Sequence, residues 1–445
     1  MENIMSKLAL YGGKPLLDYW PKELFHWPIV NDAMREAQLK VLESGNMSGT
    51  NISRQFEEKF AQWHGVKYAL SHNNGTSALM SAMYGVGLGP GDEVICPSVT
   101  YWASCTSALT LGATIVFCDI NEKDLQIDPA SFEAHITPRT KAVIVVHYLS
   151  HPADMDAIMA IAKKHNIKVI EDVSHAQGGH YKGRMLGTIG DVAGMSLMTS
   201  KSFAIGEGGM MITNDPEIYR RAISLGHYDR MPEVFSPEEL KDTNQLPYGG
   251  FKFRMHQVSS AIGLEQLKKY EAETAEVDQA MKYFWQGIKD IKGFRLIYPE
   301  DEGSDKAGWY ASRAGYDPEC FSGVSNEVFA KALNAEVGLV FFPGGNFPLH
   351  KSELFYTKDV FGHGKPTAKV HLPDGVDPRE LTGELPVASK INGLLLGEPP
   401  FKKFDKKLID IYVDAVYKVV ENHQDLLRES KEEAGGNVAL SRRKK

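Results

Sequence analysis

Lys201 follows the apolar run Gly194-Met195-Ser196-Leu197-Met198 and precedes Gly206-Glu207-Gly208-Gly209 and a second apolar run, Met210-Met211-Ile212-Thr213. An ammonium held between two buried strands is costly unless it is paired or neutralised. At a loop tip it would simply be solvated. Desolvated, its amine is a nucleophile that condenses with an aldehyde, and the glycines after it let backbone come close to a bound group. Other residues would complement such an amine. Asp172 ends the run Lys168-Val169-Ile170-Glu171-Asp172, with His175 three residues on. Gly75, Thr76 and Ser77 open a helix after Tyr68-Ala69-Leu70-Ser71, and a helix N-terminus offers free N–H groups and a positive dipole to a phosphate. Tyr101 and Trp102, beside Thr100, offer a flat aromatic face, and Ser196 adds a hydroxyl ahead of the lysine. Taken singly, each has a plainer reading: Thr76, Ser77 and Asp172 as caps, Tyr101 as a core or surface aromatic. Taken together they are the parts that pyridoxal 5'-phosphate needs. Lys201 would bind its aldehyde, and Asp172 would keep the pyridine nitrogen protonated so that the ring acts as an electron sink. An aromatic residue would stack on the ring, and the helix N-terminus with Ser196 would hold the phosphate.

These groups act together only if the fold brings them to one edge. From residue 68 onward, strand-length apolar runs recur at Glu93–Cys96, Thr114–Cys118, Lys141–His147, Lys168–Asp172, Val192–Met198 and Met210–Thr213. Helix-forming stretches separate several of them: Ala78–Tyr84, one from Trp102, and Pro152–His165 with Pro152 at its start. This alternation predicts an α/β fold with a doubly wound, mostly parallel sheet, and the nearly continuous apolar run 141–147 predicts cover on both faces. Ligands of such sheets lie beyond the carboxyl ends of the strands, where each group named above falls. Gly85-Val86-Gly87-Leu88-Gly89-Pro90-Gly91 follows a helix and precedes a strand, the reverse of a dinucleotide-binding turn, and reads as a helix stop. Residues 31–44, with Asn31 or Asp32 as cap, and 52–64 read as amphipathic helices. Beyond Gly226 a polar stretch leads to a long helix predicted over 257–291, and the remainder reads as α+β. The expected organisation is a large sheet domain over residues 1–280, a smaller C-terminal α+β domain over 281–428, and a charged, disordered tail over 429–445.

Among the 445 residues, 49 Lys and Arg face 57 Asp and Glu, a formal net charge of −8, which leaves no footprint for nucleic acid. No apolar run reaches the roughly 18 residues of a membrane span, and the first residues lack the apolar core of a signal peptide. Cys96, Cys105, Cys118 and Cys320 show no CxxC spacing. Neither a metal site nor a disulfide framework is expected, and reduced thiols in a cytoplasmic protein are the simplest account.

The stretches Asn74-Gly75-Thr76-Ser77-Ala78-Leu79, Pro90-Gly91-Asp92-Glu93-Val94, Pro152-Ala153-Asp154-Met155-Asp156, Glu171-Asp172-Val173-Ser174-His175-Ala176 and Lys201 with Gly206-Glu207-Gly208-Gly209 resemble the DegT/DnrJ/EryC1/StrS family, over about residues 8–424. The resemblance implies the transferase fold of type I and a pyridoxal-phosphate-dependent aminotransferase. Its amino donor would be L-glutamate or L-glutamine, and its acceptor a keto sugar, often nucleotide-linked, or a keto-cyclitol. It also implies roles: Lys201 as the cofactor-binding amine that moves the proton, Asp172 as the pyridinium partner, His175 at the ring hydroxyl, Tyr101 stacked on the ring, and Gly75, Thr76 and Ser196 on the phosphate. Lys252, within Phe251-Lys252-Phe253-Arg254-Met255, stands where the family reaches the neighbouring subunit's cofactor phosphate, which implies a homodimer with shared active sites. Three features depart from the pattern: Ser150 where the family often has Gly, Met198-Thr199-Ser200 before the lysine, and a long 227–250 segment. That segment and the Leu10-Tyr11-Gly12-Gly13-Lys14-Pro15 opening resemble the scyllo-inosose-type cyclitol branch. Arg184 and Arg254 are candidates for a donor carboxylate; Ser48, the 227–250 segment and His350 are candidates for the acceptor. Two rival readings are a dehydratase of the same family, which would replace the lysine with histidine or add a cysteine cluster, and a pathway protein that keeps the fold without catalysis.

Overall fold

The computed structural model describes residues 7–241 and 243–427; the expected tail over 429–445 lies outside the described residues. The apolar runs pair into one sheet. Its strands are β1 (Tyr68–His72), β2 (Glu93–Pro97), β3 (Thr114–Cys118), β4 (Thr140–Val146), β5 (Lys168–Asp172), β6 (Val192–Ser196) and β7 (Gly209–Thr213). Their order is β1-β7-β6-β5-β4-β2-β3. Within this sheet β7 runs antiparallel to both neighbours, and the other pairs are parallel. The carboxyl ends of β1 to β6 therefore share one edge, where β7 begins with Gly209 opposite both His72 and Ser196.

Side chains alternate across a strand, so each strand feeds two cores. Leu70, Val94, Ile115, Ile144, Ile170 and Met211 enter one; Ala69, Ile95, Val116, Val143, Val169 and Ile212 enter the other. Both faces are covered. The helices α1 (Asp32–Ser44) and α2 (Asn51–His64) precede the sheet, and α2 gives Phe56 and Phe60 to the second core. The helix α3 (Gly75–Gly85) follows β1 and gives Ala78, Leu79, Ala82 and Met83 to the first. It ends at Gly85, as a helix stop requires. The helix α4 (Met155–His165) begins three residues later than expected, because the Asp154 carboxylate accepts the Ala157 N–H (3.1 Å) and caps it there. Trp102 opens a single 3-10 turn, Trp102–Ser104, and β6 stops at Ser196 rather than Met198.

After α5 (Pro216–Gly226), the stretch expected as one helix over 257–291 is two, α6 (Gln257–Leu267) and α7 (Tyr270–Ile288). Lys269 leaves the helical region at φ −125° and ψ −9°, and Gln266 bridges the break to Glu273 (2.8 Å). A smaller antiparallel sheet follows, β8 (Phe294–Arg295), β9 (Arg313–Tyr316) and β10 (Leu395–Gly397), with α8 (Asn326–Val337) and α9 (Lys406–Glu421). The expected boundary at residue 280 falls inside α7, whose Val277, Ala280, Met281 and Phe284 share a core with Ile409, Tyr412 and Val416 of α9 and with Leu8, Leu17 and Leu24. Residues 367–391 fold back over the sheet's last strand: Phe117 N–H donates to Thr382 (3.2 Å), and Asp119 accepts the N–H groups of Val387 and Ala388. An edge strand that would otherwise invite pairing with another chain is thereby covered.

Candidate active site

The site grows out of the carboxyl edge of the large sheet. After β1, Asn74 caps α3, its side-chain oxygen accepting the Ser77 N–H at 2.8 Å. The Ser77 amide is thus occupied, while those of Gly75 and Thr76 have no intrahelical acceptor. Gly75 is required by packing: a Cβ there would lie 2.5 Å from the Ser196 Cβ and 2.6 Å from its Cα. The helix N-terminus is therefore pressed against the end of β6.

After β5, two fixed donors hold the buried carboxylate of Asp172. The Ser104 hydroxyl donates to Oδ2 (2.7 Å) and the Ser174 N–H to Oδ1 (3.0 Å). Ser104 is itself hydrogen-bonded to the Thr100 hydroxyl (2.8 Å). His175 receives the Leu149 N–H on Nδ1 (3.3 Å). Nδ1 therefore carries no proton, and in the neutral ring Nε2 carries it. Burial, and then the positive charges of Lys201 and Arg313, push the imidazole well below its ordinary pKa. The ring is neutral and offers one N–H.

After β6 the chain doubles back on itself. Leu197 N–H donates to Gly208 O and Thr199 N–H to Gly206 O (2.9 and 2.8 Å). Lys201 sits in this fold, its carbonyl accepting the Trp27 indole N–H (2.9 Å). It is only 6 % exposed, which overturns the solvated loop tip as its setting. Its Nζ lies 4.2 Å from the centre of the Tyr310 ring.

A cavity of about 410 Å³ gathers Gly75, Thr76, Tyr101, Asp172, His175, Ser196 and Lys201 on one wall system, a volume within the usual range for small-molecule sites. Tyr101 is 48 % exposed beside Trp102. Ser77 and Lys252 do not line the cavity of their own chain, and Lys252 is exposed. Arg184 pairs with Asp156 (2.5 Å) and Arg254 with Asp229 (3.4 Å), and neither lines the cavity. His350 also stands outside it, bridging Ser98 (2.5 Å) and Ser389 (3.2 Å). Ser48 and the 227–250 segment contribute no lining residue either. Sequence reasoning missed Asn74, Ser104, Ser174, Glu207, Tyr310 and Asn346. Asn74 carried a signal, as a cap before a helix; Tyr310 and Asn346 carried none, because tertiary packing delivers them from the C-terminal half.

Residues 28–362 match the model of the DegT/DnrJ/EryC1/StrS aminotransferase family. The chain belongs to this family. A Micromonospora echinospora protein provisionally named L-glutamine:3-amino-2,3-dideoxy-scyllo-inosose aminotransferase is 32 % identical over 441 residues, covering 94 % of this chain and 98 % of its own. The GDP-perosamine synthase of Caulobacter vibrioides is 40 % identical over 245 residues, 55 % of this chain and 64 % of its own. The crystal structure of an aminotransferase from Psychrobacter cryohalolentis superposes with a TM-score of 0.76 at 28 % identity, covering 90 % of this chain and all of that one. The doubly wound, mostly parallel sheet read from the strand alternation is observed, and the type I transferase fold that the resemblance implied is borne out with it. In this DegT/DnrJ/EryC1/StrS aminotransferase Asp172 is the last residue of β5, and Lys201 lies in the turn beyond the end of the neighbouring strand β6. Among the described residues no cluster of three His, Cys, Asp or Glu converges as a metal site would need, and no helix is long and apolar enough to cross a membrane.

Proposed function

We propose that the cavity binds pyridoxal 5'-phosphate and that the enzyme transfers an amino group from L-glutamine, or L-glutamate, to a keto-cyclitol. The observation that carries this reading is the convergence of Lys201, Asp172 and the α3 N-terminus on one cavity. The residues fit the cofactor. Asp172 offers an anchored carboxylate to a ring nitrogen, and neutral His175 offers Nε2–H to a ring oxygen. Tyr101 offers a face. The amides of Gly75 and Thr76, with the Ser196 hydroxyl, offer donors to a phosphate. When bound, pyridoxal phosphate supplies an aldehyde for amines and a ring that accepts electrons. The rest falls to the chain. Lys201 Nζ would hold the cofactor and, once free, would take the proton from the donor's α-carbon as general base and, as general acid, deliver it to the cofactor's carbon and not back to the donor. Its burial keeps water from competing for that proton.

Two observations favour a cyclitol over a nucleotide-linked sugar. Lys201 is the sole cationic side chain that this chain itself brings to the described lining, and the partner's Lys252 inferred below goes to the cofactor phosphate, whereas a nucleotide's diphosphate calls for further charge-assisted contacts. The relatives named for scyllo-inosose amination also span up to 95 % of this chain, the GDP-perosamine synthases 55 % and 73 %. We further infer a homodimer in which exposed Lys252 serves the partner's cavity, and a cytoplasmic setting, which the unpaired thiols of Cys96, Cys105, Cys118 and Cys320 support. Visible absorbance of the purified protein tests the function. A yellow protein that bleaches with L-glutamine and regains its colour with a keto-cyclitol is expected. A colourless protein that takes up no added pyridoxal phosphate would overturn the cofactor, and recovery only with a nucleotide-linked keto sugar would overturn the acceptor.

A further inference from the structure

We propose that Ser150 is a positioning residue that sets Tyr310 over Lys201; the inference rests on the proton-moving role given to Lys201. Ser150 is fully buried, in a left-handed conformation at φ 64°, beside Leu149 at φ 55°. Side chains are strained in that region and glycine is not, so a serine here calls for compensation. Its hydroxyl provides it. Ser150 Oγ donates to the His175 carbonyl (2.5 Å) and accepts the Tyr310 N–H (2.7 Å). The first partner belongs to the turn after β5, the second to the segment before β9, so one buried hydroxyl joins the two halves of the chain at the cavity. Leu149, in the same turn, fixes the His175 ring through Nδ1 (3.3 Å).

Tyr310 needs such a tether. It lies outside any helix or strand, with left-handed neighbours Ala307, Trp309 and Ala311 at φ 44°, 49° and 51°. Its ring centre sits 4.2 Å from Lys201 Nζ and 4.7 Å from the centre of the His175 ring. A side chain that far into the cavity follows its own backbone, and Ser150 holds that backbone. The hydroxyl thus acts on the amine through Tyr310, without touching the cavity's contents.

The test uses the full-length enzyme supplied with pyridoxal phosphate. Ser150→Gly keeps a relaxed backbone and removes both bonds; Ser150→Ala removes both bonds and keeps the Cβ. Hydrogen exchange of the Tyr310 amide should quicken by about tenfold or more in each, since a buried donor has lost its acceptor. The kcat should fall about tenfold with the donor KM changed less than about twofold, the pattern of an interaction that serves the reacting step and not binding. A double-mutant cycle separates positioning from packing: in a Tyr310→Ala background, Ser150→Gly should add no further loss. Unchanged exchange, an unchanged kcat, or additive losses would each overturn the proposal. Should the protein take up no pyridoxal phosphate, the functional reading falls while the exchange measurement still judges the tether.

Discussion

At the scale of the residue, the site is built on neutral or anchored groups around one amine. On the proposed function, Lys201→Ala would remove both the attachment point and the proton carrier. Turnover should drop by roughly 10⁴-fold or more, the upper end of what positioned proton transfer supplies, while the cofactor still binds through the other contacts; steady-state rates with equilibrium dialysis of pyridoxal phosphate check both. His175 makes a finer case. Because Leu149 fixes its tautomer and burial pushes its pKa well down, it donates one N–H at every working pH. His175→Gln retains a donor and should stay within about fivefold of the parent, whereas His175→Ala should lose about 10- to 100-fold, the worth of a hydrogen bond to a charged partner. The kcat/KM profile of the parent should show no inflection from His175 near pH 6.5. An inflection there that vanishes in His175→Gln would refute the neutral ring. The convergence of Lys201, Asp172 and His175 on one cavity was legible in the sequence because Asp172 ends an apolar run of strand length and His175 and Lys201 follow such runs. Ser77, expected among the cofactor-binding residues, does not line the cavity, and the Asn74 side chain takes its amide, a local detail that the sequence does not record.

At the scale of the element, the close seating of α3 on β6 is what brings two amides toward the lysine. Gly75→Ala would force its Cβ against the Ser196 backbone, Cα at 2.6 Å, where no flexible side chain can yield. Overpacking of this kind costs about 1–3 kcal/mol, and the displaced helix end takes the Gly75 and Thr76 amides with it. The expected outcome is a lowered melting temperature together with weaker pyridoxal phosphate binding; weaker melting with unchanged cofactor affinity would detach α3 from the phosphate role. The strands and their common edge were readable because apolar runs of strand length leave few alternatives. Helix starts were readable where a cap stood out, as Asn31 does before α1, but others and the breaks were not. Asp154 moved the start of α4 by taking an N–H group, and the break between α6 and α7 rests on a bridge between Gln266 and Glu273. Tyr310 and Asn346 were beyond reach for a different reason. A run of left-handed residues and a serine far along the chain set their place, and no periodicity records such a path.

At the scale of the whole molecule, the number of buried imidazoles sets the response to acid. Burial lowers His64 and His151 to about 4 and His227 to about 3, and pushes His72 and His175 well down. The unfolded chain protonates each near 6.5. Between those values the unfolded state binds more protons than the native one, so stability rises with pH across the interval and is lost as pH falls below 6.5. For His64 alone, at about 1.4 kcal/mol per pH unit, the loss down to pH 4 is on the order of 3 kcal/mol. Glu171 responds lower on the scale: burial favours its neutral form, but His147 and the N–H groups of Gly187 and Gly190 win and hold it below the usual carboxylate range. Its contribution disappears only as pH falls through that lowered value. His180 has the opposite sign, raised by its hydrogen bond to Asp305, but it is partly exposed and screened. Denaturant midpoints should therefore decline steadily from pH 6.5 to 5, before most carboxylates titrate. His64 stacks on Phe60, and its Nε2 has no hydrogen-bond partner, so His64→Phe should remove up to one proton from the slope of stability against pH. A parent protein equally stable at pH 7 and pH 5, or a variant with an unchanged slope, would contradict the assignment of acid sensitivity to the buried histidines.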